Sequence, residues 1–407
     1  MRLLLTIYCW LLPMVLLAQE PLDAYLKEAA QNNPGLKARY LDYQAALQKV
    51  PQVGALPDPE VSFGYFISPI ETRVGPQRMR FSAMQMFPWL GTLDAKKETA
   101  ALLAKARFEE FEQARNQLFS EVKATWCNLY ELEHATRITA RHIELVKSWE
   151  SLSTTRFEAG TASMVDVLRA QMELAELENQ LQGLRDKRVP LLARFNQHLG
   201  RPVATPIAIP DTIAISELTL DRTALSDSIH KSNPALRSIM LRQDAAAQAG
   251  VAAQKMGGPS FGLGLSYMMT GQRTDVDVPQ NGKDAIMPMV SVRIPLYRSR
   301  YRAIVSEADL QQQALQQQEA QQLNVLSVEL EQQLAAYADA DRRISLYREQ
   351  HKRAEQAMNL LLTAYTTNGK DFEEVLRLER MLLNYELETV KAVRDKNTAA
   401  ANIERLY

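Results

Sequence analysis

Residues 61–68 read Val-Ser-Phe-Gly-Tyr-Phe-Ile-Ser, so large apolar side chains recur at every second position with mostly small or polar residues between them. Residues 78–83, 261–267 and 286–294 show a similar alternation, although Pro288 weakens the start of the last segment. A period of two is the signature of a β-strand. Runs of about ten residues with one apolar and one polar face also suit a tilted bilayer crossing in a barrel wall. The sequence therefore predicts two pairs of membrane strands.

The segments between the paired strands, 69–77 and 270–285, contain Gly, Pro, Asn and Asp and are predicted to be exposed loops. A soluble hairpin packed on helices is the alternative interpretation. Four strands cannot close a membrane barrel, because the smallest known form has about eight. An open edge in lipid leaves unpaired amides that each cost several kcal/mol. We therefore expect copies of the chain to pool their strands, and three copies related by ring symmetry would supply twelve.

Two very long helices are predicted, at about 92–158 and 302–367. No proline occurs between Trp89 and Val189 or after Leu296. Proline costs a helix interior about 3 kcal/mol, so its absence permits unbroken helices. Apolar residues spaced three and four apart place a seam on one face of each helix. At a rise of about 1.5 Å per residue, each helix would be about 100 Å long. We include the Gln-rich tract at 311–322 in the second helix, because it lacks proline and glycine.

Each long helix is followed by a short break and a second helix, so each half is predicted to end in a helical hairpin. Gly160 and Gly369 mark the two tips, and Ser163 and Asp371 each stand three residues before an acidic residue, as in a capping box. The partner helices are predicted at about 163–199 and 371–405, the first kinked or interrupted by Pro190, and the opening helices at about 22–50 and 221–256. Because two short helices end to end match one long helix, we expect a wall of full-length rods.

The chain repeats itself at an offset of about 200 to 209 residues. Three landmarks recur in order: Asn32-Asn33-Pro34 as Ser232-Asn233-Pro234, Gln85-Met86-Phe87-Pro88-Trp89 as Arg293-Ile294-Pro295-Leu296-Tyr297, and Arg156-Phe157-Glu158-Ala159-Gly160 as Tyr365-Thr366-Thr367-Asn368-Gly369. A constant offset indicates a duplicated unit. We predict a first repeat at 19–199, a proline-containing linker at 200–220 and a second repeat at 221–407.

Residues 1–18 are predicted to be a secretory signal peptide. Arg2 precedes an apolar run of about 15 residues, and Ala18 stands before a polar pair. The alternative, a membrane anchor, would need roughly 20 apolar residues. Cleavage after Ala18 removes Cys9 and leaves Cys127 without a disulfide partner. The formal net charge of −1 gives no basic footprint for nucleic acid.

No pattern of a catalytic or cofactor site is present. The five histidines lack ligand spacing, and neither a P-loop nor a nucleophile elbow occurs. We therefore expect no enzyme activity and no cofactor. Seven methionines lie on or beside the predicted strands: Met79, Met84, Met86, Met268, Met269, Met287 and Met289. Thioethers suit Cu(I), but methionine is also an ordinary apolar filler and several of these are expected to face lipid, so no metal site is predicted.

The order helix, strand pair, long helix, tip and helix, repeated twice after a signal peptide, resembles the TolC-type outer-membrane efflux family. The residues that carry the resemblance are Asn32-Asn33-Pro34, Gln85-Met86-Phe87-Pro88-Trp89, Arg156-Phe157-Glu158-Ala159-Gly160-Thr161, Asp166-Val167-Leu168, Ala170-Gln171, Tyr365, Gly369, Phe372 and Val375-Leu376. The resemblance implies a mainly α chain with a small β part, in which long helical hairpins form an α-barrel and four transmembrane strands close as a twelve-stranded barrel in a homotrimer. It also implies an exit duct of a tripartite efflux or secretion system in the outer membrane, with the helical part in the periplasm. A periplasmic adaptor and an inner-membrane pump would dock at the tips.

A channel needs a gate rather than a nucleophile, and we place both gate and docking at the two tips. The candidate residues are Gly160, Thr161, Asp166, Tyr365, Gly369, Lys370, Asp371 and Glu374. Around a threefold axis Asp371 and Glu374 could form acidic rings that attract cations, or they could simply cap a helix. Two other classes of protein stay open at this point. A periplasmic coiled-coil adaptor or scaffold would share the export signal and long helices, and a secreted enzyme would need a polar pocket.

Overall fold

The computed structural model describes residues 21–211, 213, 215, 217–218, 221–368 and 372–407. The predicted signal peptide and the tip residues Gly369, Lys370 and Asp371 lie outside these residues. In chain order the elements are α1 (Pro21–Asn32), α2 (Pro34–Gly54), β1 (Glu60–Ile70), β2 (Gln77–Phe87), α3 (Thr92–Glu158), α4 (Met164–Leu199), α5 (Arg222–Ser232), α6 (Pro234–Met256), β3 (Ser260–Thr270), β4 (Ala285–Arg293), α7 (Arg298–Asn368) and α8 (Phe372–Glu404).

The two long helices are confirmed. Helix α3 has 67 residues and the predicted bounds. Helix α7 has 71 residues and starts four residues earlier than expected. Helices in globular proteins average about 11–12 residues. The Gln-rich tract is helical throughout its length. The mainly α prediction with a small β part is therefore confirmed. None of the described helices is both long enough and apolar enough to cross a bilayer.

The prediction of one continuous opening helix in each half was wrong, because both helices break at an Asn-Pro pair. Proline lacks an N–H and disfavours helical backbone in the residue before it. Asn233 caps α6, and its side-chain oxygen accepts hydrogen bonds from the N–H groups of Ala235 and Leu236. The Asn33 side chain likewise accepts from the N–H of Leu36. The repeated motif thus ends one helix and starts the next.

Of the two expected effects of Pro190, the interruption is absent because α4 runs through it, and the kink stays a prediction. Helix α2 likewise continues past Pro51. Residues 185–190 are all exposed. A carbonyl that loses its helical partner at an exposed proline can stay hydrated, which reduces the cost of the missing hydrogen bond. Proline therefore marked a helix end only where asparagine supplied a cap.

The four strands form one antiparallel sheet in the order β1-β2-β3-β4, so β1 and β4 are its outer strands. Each strand exceeds its alternating sequence segment except for β4, which ends at Arg293. Directly paired residues share a face. One face is apolar and its exposed side chains include Val61 and Phe63 of β1, Phe81 of β2, Phe261, Leu263, Leu265 and Tyr267 of β3, and Ile286, Val290 and Val292 of β4. The opposite face carries the serines and glycines.

Contacts divide the chain into two compact units. One unit takes in the described residues up to Lys37 with Ala114–Lys231 and Leu326–Tyr407, and the other takes in Ala38–Gln113 and Ser232–Val325. Both units draw on both halves of the sequence, and the sheet belongs to the second. The first unit contains apolar clusters between α3, α4, α7 and α8, built around buried residues such as Val146 and Tyr365. The predicted boundaries of the sequence repeats stay a prediction.

Gly200→Ala is expected to destabilise the first unit by about 2 kcal/mol. Gly200 ends α4 with a φ of 69°, a conformation that costs an L-residue about 1–2 kcal/mol. An added Cβ would also lie 2.5 Å from the backbone oxygen of Asn32. The thermal midpoint of the purified variant would measure the loss. Gly183→Ala in the middle of α4 is the control, because a Cβ there meets nothing within 4 Å and alanine favours the helix. Equal midpoints for the two variants would contradict this account.

Candidate functional site: the helical tips and the sheet

The first tip turns at Gly160, which has a φ of 72°. The N–H of Thr161 donates to the carbonyl of Arg156 at 2.8 Å, and its hydroxyl donates to the same oxygen at 3.1 Å. Ser163 then caps α4, and Asp166 completes the capping box by accepting from the N–H of Ser163 at 3.4 Å. The predicted turn and capping box are therefore present at this tip.

Arg156 connects this turn to α7. Its guanidinium donates to the backbone oxygen of Tyr365 at 2.7 Å and lies 4.7 Å from the centre of the Tyr365 ring. Tyr365 is 1% exposed and packs against Phe372 with 5.3 Å between ring centres. Burial raises the pKa of the Tyr365 hydroxyl, the Arg156 charge opposes that rise, and the Asp166 charge adds to it. Three of the predicted tip residues, Thr161, Asp166 and Tyr365, therefore lie around Arg156.

Two further ion pairs join the hairpins near the tips. Arg169 of α4 lies 2.9 Å from Glu373 of α8, and Arg380 of α8 lies 2.6 Å from Glu173 of α4. The Glu173 side chain is only 5% exposed, whereas Arg380 is largely exposed. A buried carboxylate depends strongly on its partner. The α4–α8 contact is therefore held by charge as well as by apolar packing.

Glu374 is the described member of the second predicted acidic pair. Its carboxylate accepts from Arg377, one turn later, at 2.9 Å, and the side chain is exposed. Asp371 lies outside the described residues, so its capping role stays a prediction. Sequence reasoning did not single out Arg156, Arg169, Glu173 or Arg380 as tip contacts. Their spacing along the helices gave only a general signal for charged faces.

A buried polar network ties α3, α7 and α8 together farther from the tips. The Nδ1 of His142 contacts Glu379, and its Nε2 lies 3.4 Å from Glu386. Glu386 also binds Arg141 and accepts from His351 at 2.8 Å. His142 and Glu379 are both 3% exposed. No sequence pattern brought these residues together, because they come from three helices.

The network shifts the ionisation of its members. Burial by itself lowers the pKa of His142, but the hydrogen bonds and charges of Glu379 and Glu386 outweigh it and raise that pKa to about 9. Burial raises the pKa of Glu386, but hydrogen bonds from His142 and His351 and the Arg141 charge give a net lowering. The imidazolium form of His142 is therefore the form that the fold stabilises near neutral pH.

Most of the strand methionines lie on the polar face of the sheet. Met84, Met86, Met268, Met287 and Met289 share it with Ser62, Ser82, Ser266 and Ser291, whereas Met79 and Met269 lie on the apolar face. The Ser291 hydroxyl lies 3.7 Å from the sulfur of Met84 and 3.8 Å from that of Met86. A Cβ at Gly262 would lie within 3.0 Å of both sulfurs. The glycines of β3 thus make room for thioethers that reach across the strand.

Comparisons with known proteins agree with this architecture. A model of the outer membrane efflux protein family matches residues 25–201. The outer-membrane channel OprN has a similar structure, with a TM-score of 0.73 and 18% identity over 95% of this chain and 89% of that one. The outer membrane protein VceC from Vibrio cholerae has a TM-score of 0.76 and 19% identity over 95% of each chain. The Campylobacter jejuni CmeC channel has a TM-score of 0.76 and 14% identity over 95% of this chain and 85% of that one.

No curated protein sequence matches this chain. Because the identities are below one fifth, the structural likeness establishes the fold, and the family match concerns the first half of the sequence. The strand pair, the long helix and the first tip all fall inside that match. Residues 25–201 thus match the outer membrane efflux protein family, and the fold of the chain is that of the TolC-type outer-membrane channels.

Proposed function

We propose that this protein is an outer-membrane channel, the exit duct of a tripartite efflux or secretion system, with its helical part in the periplasm. The observation that carries the proposal is the sheet, which exposes large apolar side chains on one face and has serine, glycine and methionine on the other. Val61, Phe63, Leu263 and Val290 are each at least 57% exposed. An apolar surface of this kind needs lipid or a partner to cover it.

The same sheet supports a trimer. Its outer strands β1 and β4 each pair with one neighbour only. Four strands are fewer than the roughly eight that the smallest membrane barrel uses. Pairing β4 of one copy with β1 of the next would satisfy both edges, and three copies would close twelve strands. This arrangement also places the serine face toward the lumen.

The oligomeric state is tested on membrane-extracted protein. We expect the protein to need detergent for extraction and to have three times the mass of one chain by light scattering in detergent. A carbonate wash of the membranes, which releases peripheral proteins, is the accompanying control for membrane integration. A stable monomer that leaves the membrane fraction without detergent would contradict the channel and favour the periplasmic adaptor.

We place the gate and the docking surface at the tips. The Arg156–Tyr365 contact and the Arg169–Glu373 pair would hold the hairpins together in a closed state. Gly160, Thr161 and Asp166 shape the first turn, and Gly369, Lys370, Asp371 and Glu374 are assigned to the second. At the start of α4, Met164, Val165, Leu168 and Met172 are at least 46% exposed. An exposed apolar stripe there suits the helical hairpin of a periplasmic adaptor, which would in turn engage an inner-membrane pump.

Neutralising the second tip is expected to change conduction. In planar bilayers, the variant Asp371→Asn/Glu374→Gln should show raised conductance or weaker block by divalent cations, because acidic rings bind cations near a narrow pore. Glu176→Gln/Glu178→Gln is the control, because it removes the same charge from exposed positions on α4. Unchanged conductance and block in the tip variant would remove Asp371 and Glu374 from the gate and leave them as capping or surface residues.

A further inference from the structure

A cavity of about 430 Å³ lies where the strands meet the long helices of the second unit. Both copies of the repeated proline-aromatic landmark border it, through Pro88 and Trp89 in the first repeat and Pro295 and Tyr297 in the second. Tyr301 of α7 completes the aromatic part of the wall. The sequence motif that marks the end of each strand pair is therefore the frame of this cavity.

The lining is strongly cationic. Lys96, Lys255, Arg293 and Arg300 contribute to it, and the lining contains no acidic residue. Within the part of the chain that the structure describes, none of these four side chains forms an ion pair. Asp94 is close in sequence, but it is exposed and does not line the cavity. Four uncompensated positive charges around one concave site favour an anion.

Thr92 supplies an independent sign of a ligand. It lines the cavity at the first residue of α3 and is 2% exposed, yet its hydroxyl has no hydrogen-bond partner among the described residues. Buried hydroxyl groups are nearly always paired, because leaving one unpaired costs about 1–3 kcal/mol. The positive end of a helix dipole also lies at this point. An acceptor oxygen in the cavity would satisfy the hydroxyl and be attracted by the helix terminus.

The rim of the cavity is apolar and exposed. Ile294, Leu296 and Tyr297 line the cavity, directly follow strand β4 and are 64–83% exposed. A small hydrated anion would make no favourable contact with these apolar side chains. An amphiphile, in contrast, would place its anionic head among the cations and its chains along these apolar residues.

We propose that this cavity binds the phosphate headgroup of an anionic phospholipid of the inner leaflet, with Lys96, Lys255, Arg293 and Arg300 around the phosphate and the Thr92 hydroxyl donating to it. The site rests on the proposed placement of the strands in the outer membrane. Its role is to fix the height of the sheet–helix junction at the membrane surface. It deepens the proposed function by naming a lipid that the channel recognises.

The test is native mass spectrometry of the detergent-purified protein with added phosphatidylglycerol, with diacylglycerol of the same acyl chains, and with inorganic phosphate. We expect phosphatidylglycerol to remain bound, diacylglycerol to be lost, and millimolar inorganic phosphate not to displace the lipid. Lys96→Gln/Lys255→Gln should weaken phosphatidylglycerol binding about tenfold or more, since a basic residue near anionic lipid contributes about 1 kcal/mol. Thr92→Val should weaken it about threefold.

Lys105→Gln/Lys283→Gln is the matched control, because both lysines are exposed and lie outside the cavity, and it should bind lipid like the unaltered protein. The proposal is overturned if Lys96→Gln/Lys255→Gln and Thr92→Val retain lipid as well as the control does. Equal retention of diacylglycerol would reduce the site to an apolar groove, and displacement by inorganic phosphate would make it a free-anion site. Oligomeric mass and conductance are measured on the same samples, so a failure of the lipid site is separable from a failure of the channel.

Discussion

Phe63→Arg should prevent stable insertion of the protein into the outer membrane. Phe63 is the fourth of the eleven residues of β1, lies on the apolar face of the sheet and is 60% exposed, with its ring tilted against that of Phe81 at 5.0 Å. A charge on the lipid face of a membrane strand costs about 2–4 kcal/mol at the bilayer midplane. In a trimer the cost is incurred once in every copy. We expect the variant to accumulate in the soluble or aggregated fraction, measured by fractionation and by the yield of detergent-stable trimer.

Ser62→Arg is the matched control, because it introduces arginine at the adjacent position of β1, whose side chain lies on the opposite face of the sheet. Ser62 forms a 2.6 Å hydrogen bond with Ser82, and the proposed closure puts this face in the aqueous lumen. We expect this variant to insert normally, with altered conductance. Phe63→Leu separates the loss of the ring contact from the added charge and should insert as well. If Phe63→Arg inserts while Ser62→Arg does not, the assignment of the two faces is reversed.

His142→Leu is expected to destabilise the helical part by about 3–5 kcal/mol. Glu379 is 3% exposed and contacts His142, so the substitution leaves a buried carboxylate without its counter-charge, which is the costly way to break a buried pair. The thermal midpoint and the rate of proteolysis in detergent would report the loss. His142→Leu/Glu379→Leu should recover much of it, because no unpaired charge remains. His230→Leu, at an exposed position on α5, should have little effect. An undiminished midpoint in His142→Leu would show that the network does not stabilise the fold.

The same network predicts a pH dependence. Folding raises the pKa of His142 to about 9, so its contribution is fully present below about 6.5 and is lost as the pH rises through 9. Folding lowers the pKa of Glu386, so its contribution is present above its usual value and is lost as the pH falls through the folded value. The thermal midpoint should therefore fall between pH 6.5 and 9, and less steeply in His142→Leu. Parallel pH profiles for the two proteins would contradict this.

Part of the candidate site could be predicted from the sequence because its causes are local. A glycine with a positive φ at 160 and a Ser163–Asp166 capping box depend on a few consecutive residues, and both are present. The partners of the tip could not be predicted in the same way. Arg156 and Tyr365 are separated by 209 residues, and nothing in either segment states which face of one helix will meet the other.

The sequence by itself determined the elements of this protein: four alternating strands, two helices too long for an ordinary globular domain, and the turns between them. Backbone geometry and periodicity act within a few residues, so the helices and strands can be predicted without knowing what they pack against. Its errors were also local. They fell at Asn33-Pro34 and Asn233-Pro234, where a cap and a proline act together, and at Pro190, which does not interrupt its helix. Only the tertiary structure decided that His142 joins Glu379, that the methionines of β2 reach across Gly262, and that two distant proline-aromatic motifs frame one cationic cavity. Those contacts arise from the packing of separate elements, and packing depends on the register and rotation of each element against the others.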